Sequence, residues 1–470
     1  MPEKTTSPKP LNVLVMAAGL GTRMKSNRAK VLHELGGSPL IAHVTRTAQA
    51  LKPQRIVVVI GHQAEEVERV VLDTVGELAS FVVQAKQRGT GDAVESARNV
   101  LESSDSLVLV LSGDVPMIKL ETLQTFIEHH NNAGADCTVL SVRLENPTGY
   151  GRVIRDESGA FQKIVEQRDA TEDERQVKEI NSGIYCFDAN ELFKALRKVE
   201  PANDQGEYYL TDVPAIIRGD GGNVSVFLHD EAREVYGINS RAELAEFENL
   251  VRRAAIRKLM IESGVTFIDP SHAYISAEAE IGRDTIIHPN VTIEGKTIIG
   301  EGCVIRSGAR ITNSRLGDGV TIKDHSIIVD SEIGSNCSVG PFAHLRMNAV
   351  LEEKATVGNF VEVKKSRLKR GTKAMHLTYL GDATIGERTN IGAGTVTCNY
   401  DGVNKHETTI EEDVKIGSDT MLVAPVRVGA RSVTGAGSVV TEDVPPDSLV
   451  AGVPAKVKKN LKRGWLKTRS

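Results

Sequence analysis

The stretch EIGRDTIIHPNVTIEGKTIIGEGCVIRSGARI, residues 280–311, places an isoleucine at every sixth position. With two five-residue steps, this period of aliphatic residues extends from Ile275 to Val363, and it returns between Ile385 and Val440. A period of six fits neither an α-helix nor the alternation of a β-strand, but it is typical of a coil of short parallel strands whose corners repeat. We therefore predict that more than a third of the chain forms a parallel β-helix with an aliphatic ladder inside.

The longest interruption of this period is CNYDGVNKHETT, which runs from Cys398 to Thr409. Insertions into repeats map to loops, and loops on rigid scaffolds carry much of binding and catalysis. We expect this insertion to form a loop that contributes to a site.

Composition sets the other limits. A chain of 470 residues predicts two or three domains at about 150 residues each. The net charge of −5 argues against a protein that binds nucleic acid through its charge. The five scattered cysteines, without a CxxC pair, indicate neither a disulfide framework nor a zinc site, which fits the cytoplasm. No run approaches the roughly eighteen apolar residues of a membrane span, so we expect no membrane insertion.

The first half of the chain has a different pattern, in which short apolar strands such as LNVLVMA and RIVVVIG alternate with helical stretches. This order predicts a mostly parallel sheet with helices on its faces and ligands beyond the carboxyl ends of its strands. A charged helical stretch follows. We predict three parts: a nucleotide-binding α/β domain at 1–241, a helical linker at 242–262, and the β-helix domain at 263–470.

Three strand ends carry ligand-binding signals. LVMAAGLGTRMKS, residues 14–26, has glycines for a tight backbone turn and Arg23 for charge, but it matches neither a dinucleotide fingerprint nor a Walker A loop. QRGTGDA, residues 87–93, opens a helix whose free amides can hold a base or phosphate. The third strand end delivers Asp114, and one carboxylate suffices for Mg²⁺ when a nucleotide supplies the other oxygens. Together they indicate a nucleotide site.

These motifs carry a resemblance. LVMAAGLGTRMKSNRAKVL, QRGTGDA and LSGDVP resemble the sugar-1-phosphate nucleotidyltransferases, and the repeats resemble the hexapeptide acyltransferases. The combination, with GNFVEVKKSRL, HLTYLGDA and NIGAGTVTCNYDGVNKHET, resembles the bacterial bifunctional N-acetylglucosamine-1-phosphate uridylyltransferases and glucosamine-1-phosphate N-acetyltransferases, from about Leu11 to Trp465. The resemblance implies a Rossmann-like first domain, a left-handed β-helix, a cytoplasmic homotrimer, and supply of UDP-N-acetylglucosamine for peptidoglycan and lipopolysaccharide.

For the first domain, the resemblance implies that UTP and N-acetylglucosamine-1-phosphate react to give UDP-N-acetylglucosamine and pyrophosphate, with Mg²⁺ as cofactor. Arg23 and Lys30 would neutralise phosphate charge, and Asp114 and Asn239 would bind the metal. The residues implied for the nucleotide and its sugar are Met16, Ala17, Ala18, Gly19, Lys30, Gln84, Gly89, Thr90, Ser112, Gly113, Asp114, Gly151, Glu166, Asn181 and Asn239.

For the second domain, the resemblance implies acetyl transfer from acetyl-CoA to the amine of glucosamine-1-phosphate. The amine must lose a proton, and histidine is the usual base near neutral pH, which favours His376 in HLTYLGD, with Glu362 as a candidate to orient it. The residues implied for glucosamine-1-phosphate are Arg346, Lys364, Tyr379 and Asn390. Those implied for acetyl-CoA are Ala393, Asn399, Tyr400, Ser418 and Ala436.

Some features leave alternatives open. Related proteins often carry an arginine near Val453, and here Lys456 or Lys458 is the candidate for the CoA phosphate. Trp465 is a candidate to stack on the adenine, or only to pack on the β-helix. Two other functions remain: a glucose-1-phosphate adenylyl- or thymidylyltransferase whose repeats serve oligomerisation or regulation, and an inactive scaffold. The first needs neither HLTYLGD nor the insertion, and the intact charged residues argue against the second.

Overall fold

The computed structural model describes residues 9–102 and 105–460. The chain divides into two compact units between Glu248 and Asn249. The first unit is an α/β sheet domain, and the second is built from short strands in regular coils.

In the first unit, nine described strands form one sheet: β1 Leu11–Met16, β2 Arg55–Ile60, β3 Ala79–Val83, β4 Leu107–Ser112, β5 Cys137–Arg143, β6 Arg152–Arg155, β7 Phe161–Val165, β8 Glu179–Asp188 and β9 Val224–His229. The helices are α1 Leu40–Ala50, α2 Ala64–Val75, α3 Thr90–Glu95, α4 Arg98–Leu101, α5 Leu120–Asn132, α6 Glu172–Arg175, α7 Ala189–Leu196, α8 Val213–Gly219 and α9 Arg241–Glu262, which continues into the second unit.

The sheet has the order β9-β5-β8-β4-β1-β2-β3, and the hairpin β6–β7 extends it beside β8. Within this order β8 alone, of the described strands, runs antiparallel to its neighbours. Both faces of the sheet are buried: Val13 and Val15 pack with α1, α2 and α5, whereas Leu14 packs with α3 and α7. The mostly parallel sheet that the sequence predicts is therefore confirmed.

The second unit is a left-handed parallel β-helix with three faces, which we call the first, second and third face. The first face contains Thr266–Phe267, Ile286–Ile287, Val304–Ile305, Thr321–Ile322, Ser338–Val339, Asn390–Ile391, Lys415–Ile416, Val433–Thr434 and Ser448–Ala451. The second contains Tyr274–Ile275, Thr292–Glu294, Arg310–Thr312, Ile327–Val329, His344–Arg346, Val396–Cys398, Met421–Val423 and Val439–Val440. The third contains Glu280–Ile281, Ile298–Ile299, Arg315–Leu316, Glu332–Ile333, Val350–Leu351, Arg367–Leu368, Ala383–Ile385, Thr408–Ile410 and Val426–Val428.

Two longer strands, Thr356–Lys364 and Lys373–Gly381, run through the corner between the first and second faces. At this corner Phe360, His376 and Leu377 are exposed, whereas Val361 and Thr378 are buried. The chain ends its described part with Lys456–Asn460, which pairs antiparallel with Ser448–Ala451.

The aliphatic ladder is buried as the sequence predicts. From Ile275 to Val440, every residue of the six-residue period is at most 6% exposed. Ile287 pairs with Ile305, eighteen residues later, so one coil takes three periods. Because each coil buries its apolar side chains against the next, the β-helix has one continuous core.

Helix α9 begins with a reciprocal cap, in which Ser240 Oγ accepts a hydrogen bond from Glu243 N–H at 3.2 Å and Glu243 Oε2 accepts one from Ser240 N–H at 2.9 Å. Farther along, Ile256 and Leu259 pack into the core of the β-helix. The stretch 242–262, expected as a linker, lies within this helix.

None of the helices in residues 9–102 and 105–460 has both the length and the apolar character needed to cross a membrane. All five cysteines carry free thiols, and four of them are buried.

Neighbouring isoleucines on one strand allow a direct test of the ladder. Ile328 is fully buried, whereas Ile327 points outward and is 41% exposed. We expect Ile328→Ala to reduce stability by about 2–5 kcal/mol through lost burial and a cavity, and Ile327→Ala to cost much less. Calorimetric melting of the two variants measures this, and equal shifts of the β-helix transition would contradict the inward ladder.

Two candidate active sites

A cavity of about 300 Å³ lies at the carboxyl ends of β1, β3 and β4. Ten residues expected to bind nucleotide line it: Met16, Ala17, Ala18, Gly19, Lys30, Gln84, Gly89, Thr90, Ser112 and Asp114. Val31, Gln87, Ala93 and Glu207 also line it, and sequence reasoning missed them. Of these, Gln87 stands within the QRGTGDA motif, and its Nε2 donates a hydrogen bond to Ala18 O at 2.6 Å.

The glycine loop after β1 folds back over Lys30. Gly21 has φ of 62°, and a Cβ on it would lie 2.5 Å from the Cβ of Lys30, so only glycine fits this approach. Gln63 accepts a hydrogen bond from the N–H of Ala29 and anchors the other end of the loop. Gly113 serves a similar purpose, because a Cβ there would lie 3.1 Å from Met16 O. Lys30 itself lines the cavity.

Four charged or polar side chains converge beside the cavity. Lys30 Nζ forms an ion pair with Asp114 Oδ2 and lies 3.1 Å from Asn239 Oδ1. Arg23 Nη2 donates a hydrogen bond to the same Asn239 oxygen at 2.8 Å. Asn239 is held in turn by its own N–H, which donates to Glu243 Oε2 at 2.6 Å. Two side-chain oxygens thus meet at one point where a single cation contacts both.

This pair of oxygens fits Mg²⁺, which prefers hard oxygen ligands and commonly takes only one or two from the protein. Among the described residues, no group of three or more His, Cys, Asp and Glu side chains is placed to hold a metal. The phosphates of a nucleotide would therefore have to complete the coordination.

The residues expected to bind the sugar also come together, next to the cavity. Asn181 N–H donates to Gly151 O at 2.9 Å, and a Cβ on Gly151 would lie 3.3 Å from Glu166 Oε1. Burial raises the pKa of Glu166, and a hydrogen bond from Thr211 opposes that shift. The neighbouring Leu210 N–H donates to Thr90 Oγ1 at 3.0 Å, which connects this group to the cavity.

His376 lies exposed at the corner between the first and second faces. Its Nδ1 lies 2.6 Å from Asn359 Oδ1, one coil away in register. This differs from the expectation for Glu362, which forms an ion pair with Arg346 at 2.7 Å. The reason is local: Phe360 has φ of 54°, and the chain turns the corner there, so Glu362 is on the second face while Asn359 stays beside His376.

Three of the residues expected to bind glucosamine-1-phosphate lie on the second face. Arg346 and Lys364 are paired in register, and Tyr379 pairs with Glu362 on the next coil. Lys364 is only 8% exposed. Asn390 is different, because it lies on the first face.

Lys405, from the insertion, is the residue that sequence reasoning missed here. It lies beside Lys364, and this second positive charge lowers the pKa of Lys405. Two ammonium groups repel each other unless an anion lies between them. Other cations of the run 364–373 are neutralised on the surface: Lys365 pairs with Asp382 at 3.3 Å, and Arg367 with Glu352 at 2.7 Å.

The residues expected to bind acetyl-CoA lie at two corners. Ala393, Ser418 and Ala436 stack on successive coils, since Asp419 N–H donates to Ala393 O and Gly437 N–H to Ser418 O. Gly394 N–H donates to Leu377 O at 3.1 Å, which places this column directly after His376. Asn399 and Tyr400 stand at the far end of the second face, where the insertion begins.

Lys456 and Lys458, expected near the CoA phosphate, lie on the exposed last strand. Trp465 lies outside the described residues.

A sheet domain with a polar cavity at its strand ends, joined to a hexapeptide β-helix, defines the class of two-domain sugar nucleotidyltransferases and acyltransferases. Comparison with known proteins agrees. Residues 12–231 match the nucleotidyl transferase family, residues 267–368 the GMPPB C-terminal domain, and residues 407–442 the bacterial transferase hexapeptide family of six repeats.

The chain is 46% identical to the bifunctional protein GlmU of Syntrophomonas wolfei over 93% of this chain and 96% of the relative. It is 48% identical to the GlmU protein of Heliobacterium modesticaldum over 95% and 97%, respectively, and 47% identical to that of Pelobacter propionicus over 96% and 97%. The chain belongs to the bifunctional GlmU family. It is an enzyme that acetylates glucosamine-1-phosphate and then joins the product to the uridylyl group of UTP. The adenylyltransferase, thymidylyltransferase and scaffold alternatives are therefore wrong.

We expect Asp114→Asn to abolish uridylyl transfer, because this carboxylate lies in the cavity of the first unit, and to leave acetyl transfer unchanged. Asp105→Asn is a matched control, since Asp105 precedes the amino end of the same strand β4 and is 79% exposed. Pyrophosphate release and CoA release measure the two reactions on one sample. Near-normal uridylyl transfer by Asp114→Asn at ordinary magnesium concentrations would show that Asp114 has no essential role in this reaction.

Proposed function

We propose that UTP binds in the cavity of the first unit, with Mg²⁺ held by Asp114 Oδ2, Asn239 Oδ1 and phosphate oxygens. The proposal rests on one observation: the two side-chain oxygens converge where Lys30 contacts both. When bound, the metal would neutralise charge on the phosphates. Gln84, Gly89 and Thr90 also line the cavity and are assigned to the nucleoside.

Uridylyl transfer then needs little from the protein beyond placement and charge. An oxygen of the sugar phosphate attacks the α-phosphorus of UTP, and pyrophosphate leaves with the electrons of the broken P–O bond. Lys30 and Arg23 supply positive charge to the phosphates in this step. Gly151, Glu166 and Asn181 bind the sugar on the side of Thr90.

For acetyl transfer we propose His376 as the general base. Asn359 Oδ1 is an acceptor, so it holds the tautomer with hydrogen on Nδ1 and leaves Nε2 free to take a proton from the substrate amine. The amine attacks the thioester carbon, the bond between that carbon and sulfur breaks, and the proton taken up by His376 passes to the thiolate, so that CoA leaves as the thiol. Asn359 is neutral, so it orients the ring without adding a negative charge.

The phosphate of glucosamine-1-phosphate is assigned to Lys364 and Lys405, with Arg346 and Tyr379 beside them. A buried ammonium next to a second one is unfavourable alone, and a phosphate dianion between them would remove that cost. Because Lys405 comes from the insertion, the loop takes part in substrate binding.

We propose that the enzyme is a cytoplasmic homotrimer whose acetyltransferase sites are shared between copies. The rings of His325, Phe342 and Phe360 stack along the corner that carries His376, with centroids 5.3 and 5.4 Å apart. Phe342 and Phe360 are about half exposed. Contiguous exposed side chains of this kind mark an interaction surface. A second copy of the chain would cover this aromatic column.

We expect His376→Ala to lower acetyl transfer by about two to four orders of magnitude, the usual scale for loss of a general base. Asn359→Ala should cause a smaller loss, since it removes only the contact that orients the ring. His288→Ala, at another histidine of the β-helix, is the control. A thiol-release assay measures each rate, and uridylyl transfer should stay normal. An active His376→Ala enzyme would eliminate this base.

The shared site is tested by placing charge on the aromatic column. We expect Phe342→Glu combined with Phe360→Glu to give a monomer that has lost acetyl transfer and kept uridylyl transfer. Met260→Glu, at an exposed apolar residue of helix α9, is the control for added charge. Sedimentation velocity gives the assembly state, and a fully active monomer would rule out sites shared between copies.

A further inference from the structure

Arg152 is the largest fully buried side chain in the described part of the molecule. It lies at the start of β6, immediately after Gly151, and it is only 1% exposed. A guanidinium remains charged, and burial of a charge is costly unless its surroundings compensate. Its hydrogen-bond partners, however, are neutral oxygens.

These contacts organise the loop before β6. Arg152 Nη1 donates to the carbonyl of Tyr150, and Nη2 donates to Gln167 Oε1 at 2.7 Å. The same oxygen of Gln167 accepts a hydrogen bond from Gly149 N–H at 3.1 Å. One guanidinium and one amide thus hold Gly149 and Tyr150, the two residues that precede Gly151.

In the proposed uridylyltransferase site, this loop lies between the residues assigned to the sugar and the two oxygens assigned to the metal. On one side Gly151 approaches Glu166 and Asn181. On the other, the ring of Tyr150 packs edge-on against Tyr236 at 5.9 Å. Tyr236 precedes Gly237, and a Cβ on Gly237 would lie 3.3 Å from Asp114 Oδ2. A shift of this loop would therefore move the sugar relative to the attacked phosphate.

Arg152 also acts on the charge of Glu166. Burial raises the pKa of Glu166, Asp169 and Asp212 add to that effect, and Arg152 opposes it. The remaining groups that face Glu166 are the hydroxyl of Thr211 and the phenols of Tyr185 and Tyr209. A carboxylate accepts hydrogen bonds from two sugar hydroxyls, whereas a protonated carboxyl group must use one oxygen as a donor.

We propose that Arg152 is a positioning residue for the sugar phosphate in uridylyl transfer: it holds the loop before β6 against Gln167, and its positive charge acts on Glu166, the residue assigned to the hydroxyl groups of the sugar. The inference rests on the proposed assignment of Glu166 to sugar binding. Arg152 is assigned no contact with the attacking oxygen of the sugar phosphate or with the α-phosphorus of UTP.

The test uses the full-length enzyme and Arg152→Met, which keeps the bulk and removes the charge. We expect the KM for N-acetylglucosamine-1-phosphate to rise roughly ten- to a hundredfold, the factor that corresponds to one hydrogen bond to a charged group. The KM for UTP and the acetyl transfer rate should change little. Calorimetric binding of UTP verifies that the first unit is folded.

The pH profile separates positioning from a general loss of structure. Without Arg152 the pKa of Glu166 rises further, so the ionised form is lost at a higher pH as the pH falls. The acid limb of kcat/KM for the sugar phosphate should therefore move to higher pH in Arg152→Met. In Gln167→Leu the KM should rise with no such movement, because that change removes the loop contact and leaves the charge.

Arg155→Met is the matched control, because Arg155 is on the same strand and pairs instead with Glu179 at 2.6 Å. It should leave both the KM and the pH profile unchanged. Equal increases in the two KM values of Arg152→Met, or an unmoved acid limb, would overturn the inference. Glu166→Gln distinguishes failure of the proposed sugar site from failure of the role of Arg152. A normal KM for the sugar phosphate in Glu166→Gln refutes the assignment of Glu166. A raised KM in Glu166→Gln together with a normal KM in Arg152→Met refutes only the role of Arg152.

Discussion

Burial of one aliphatic side chain every six residues is the constraint on which the β-helix depends. Three such positions complete a coil, and each coil covers the next, so the outward side chains at corners and faces have fixed positions. His376 needs no loop to place it. It is the direct register partner of Asn359, because the two strands that carry them are paired in parallel. The geometry proposed for catalysis on the β-helix is thus a consequence of its core.

Electrostatics organises both candidate sites in the same manner, by bringing together groups that need a further charged partner. In the first unit, Lys30 stands between the oxygens of Asp114 and Asn239, which can also serve a metal. On the β-helix, Lys364 and Lys405 stand side by side with like charge. Both arrangements suit ligands that carry phosphate, and both reactions of the enzyme use such ligands.

Several buried or half-buried polar groups serve to place their neighbours. Gln63 holds the loop that ends at Lys30, Glu243 holds Asn239, and Arg152 with Gln167 holds the loop that ends at Gly151. None of these stands in a motif with an evident chemical role. Their importance follows from which backbone groups they contact, and this is a property of the folded chain.

The sequence by itself determined the architecture. The six-residue aliphatic period and the alternation of apolar strands with helical stretches both indicate directly which side chains are buried. It also determined most of the nucleotide cavity: glycine loops and Asp114 stand at strand ends, and parallel strands bring such ends to one edge. Tertiary structure alone decided the partners. Asn359 contacts His376 where Glu362 was expected, because a positive φ at Phe360 turns the chain between them. Lys405 reaches Lys364, and Arg152 is buried beside Gly151, because contacts between residues distant in the sequence depend on register, corners and loop paths, and local patterns carry no record of these.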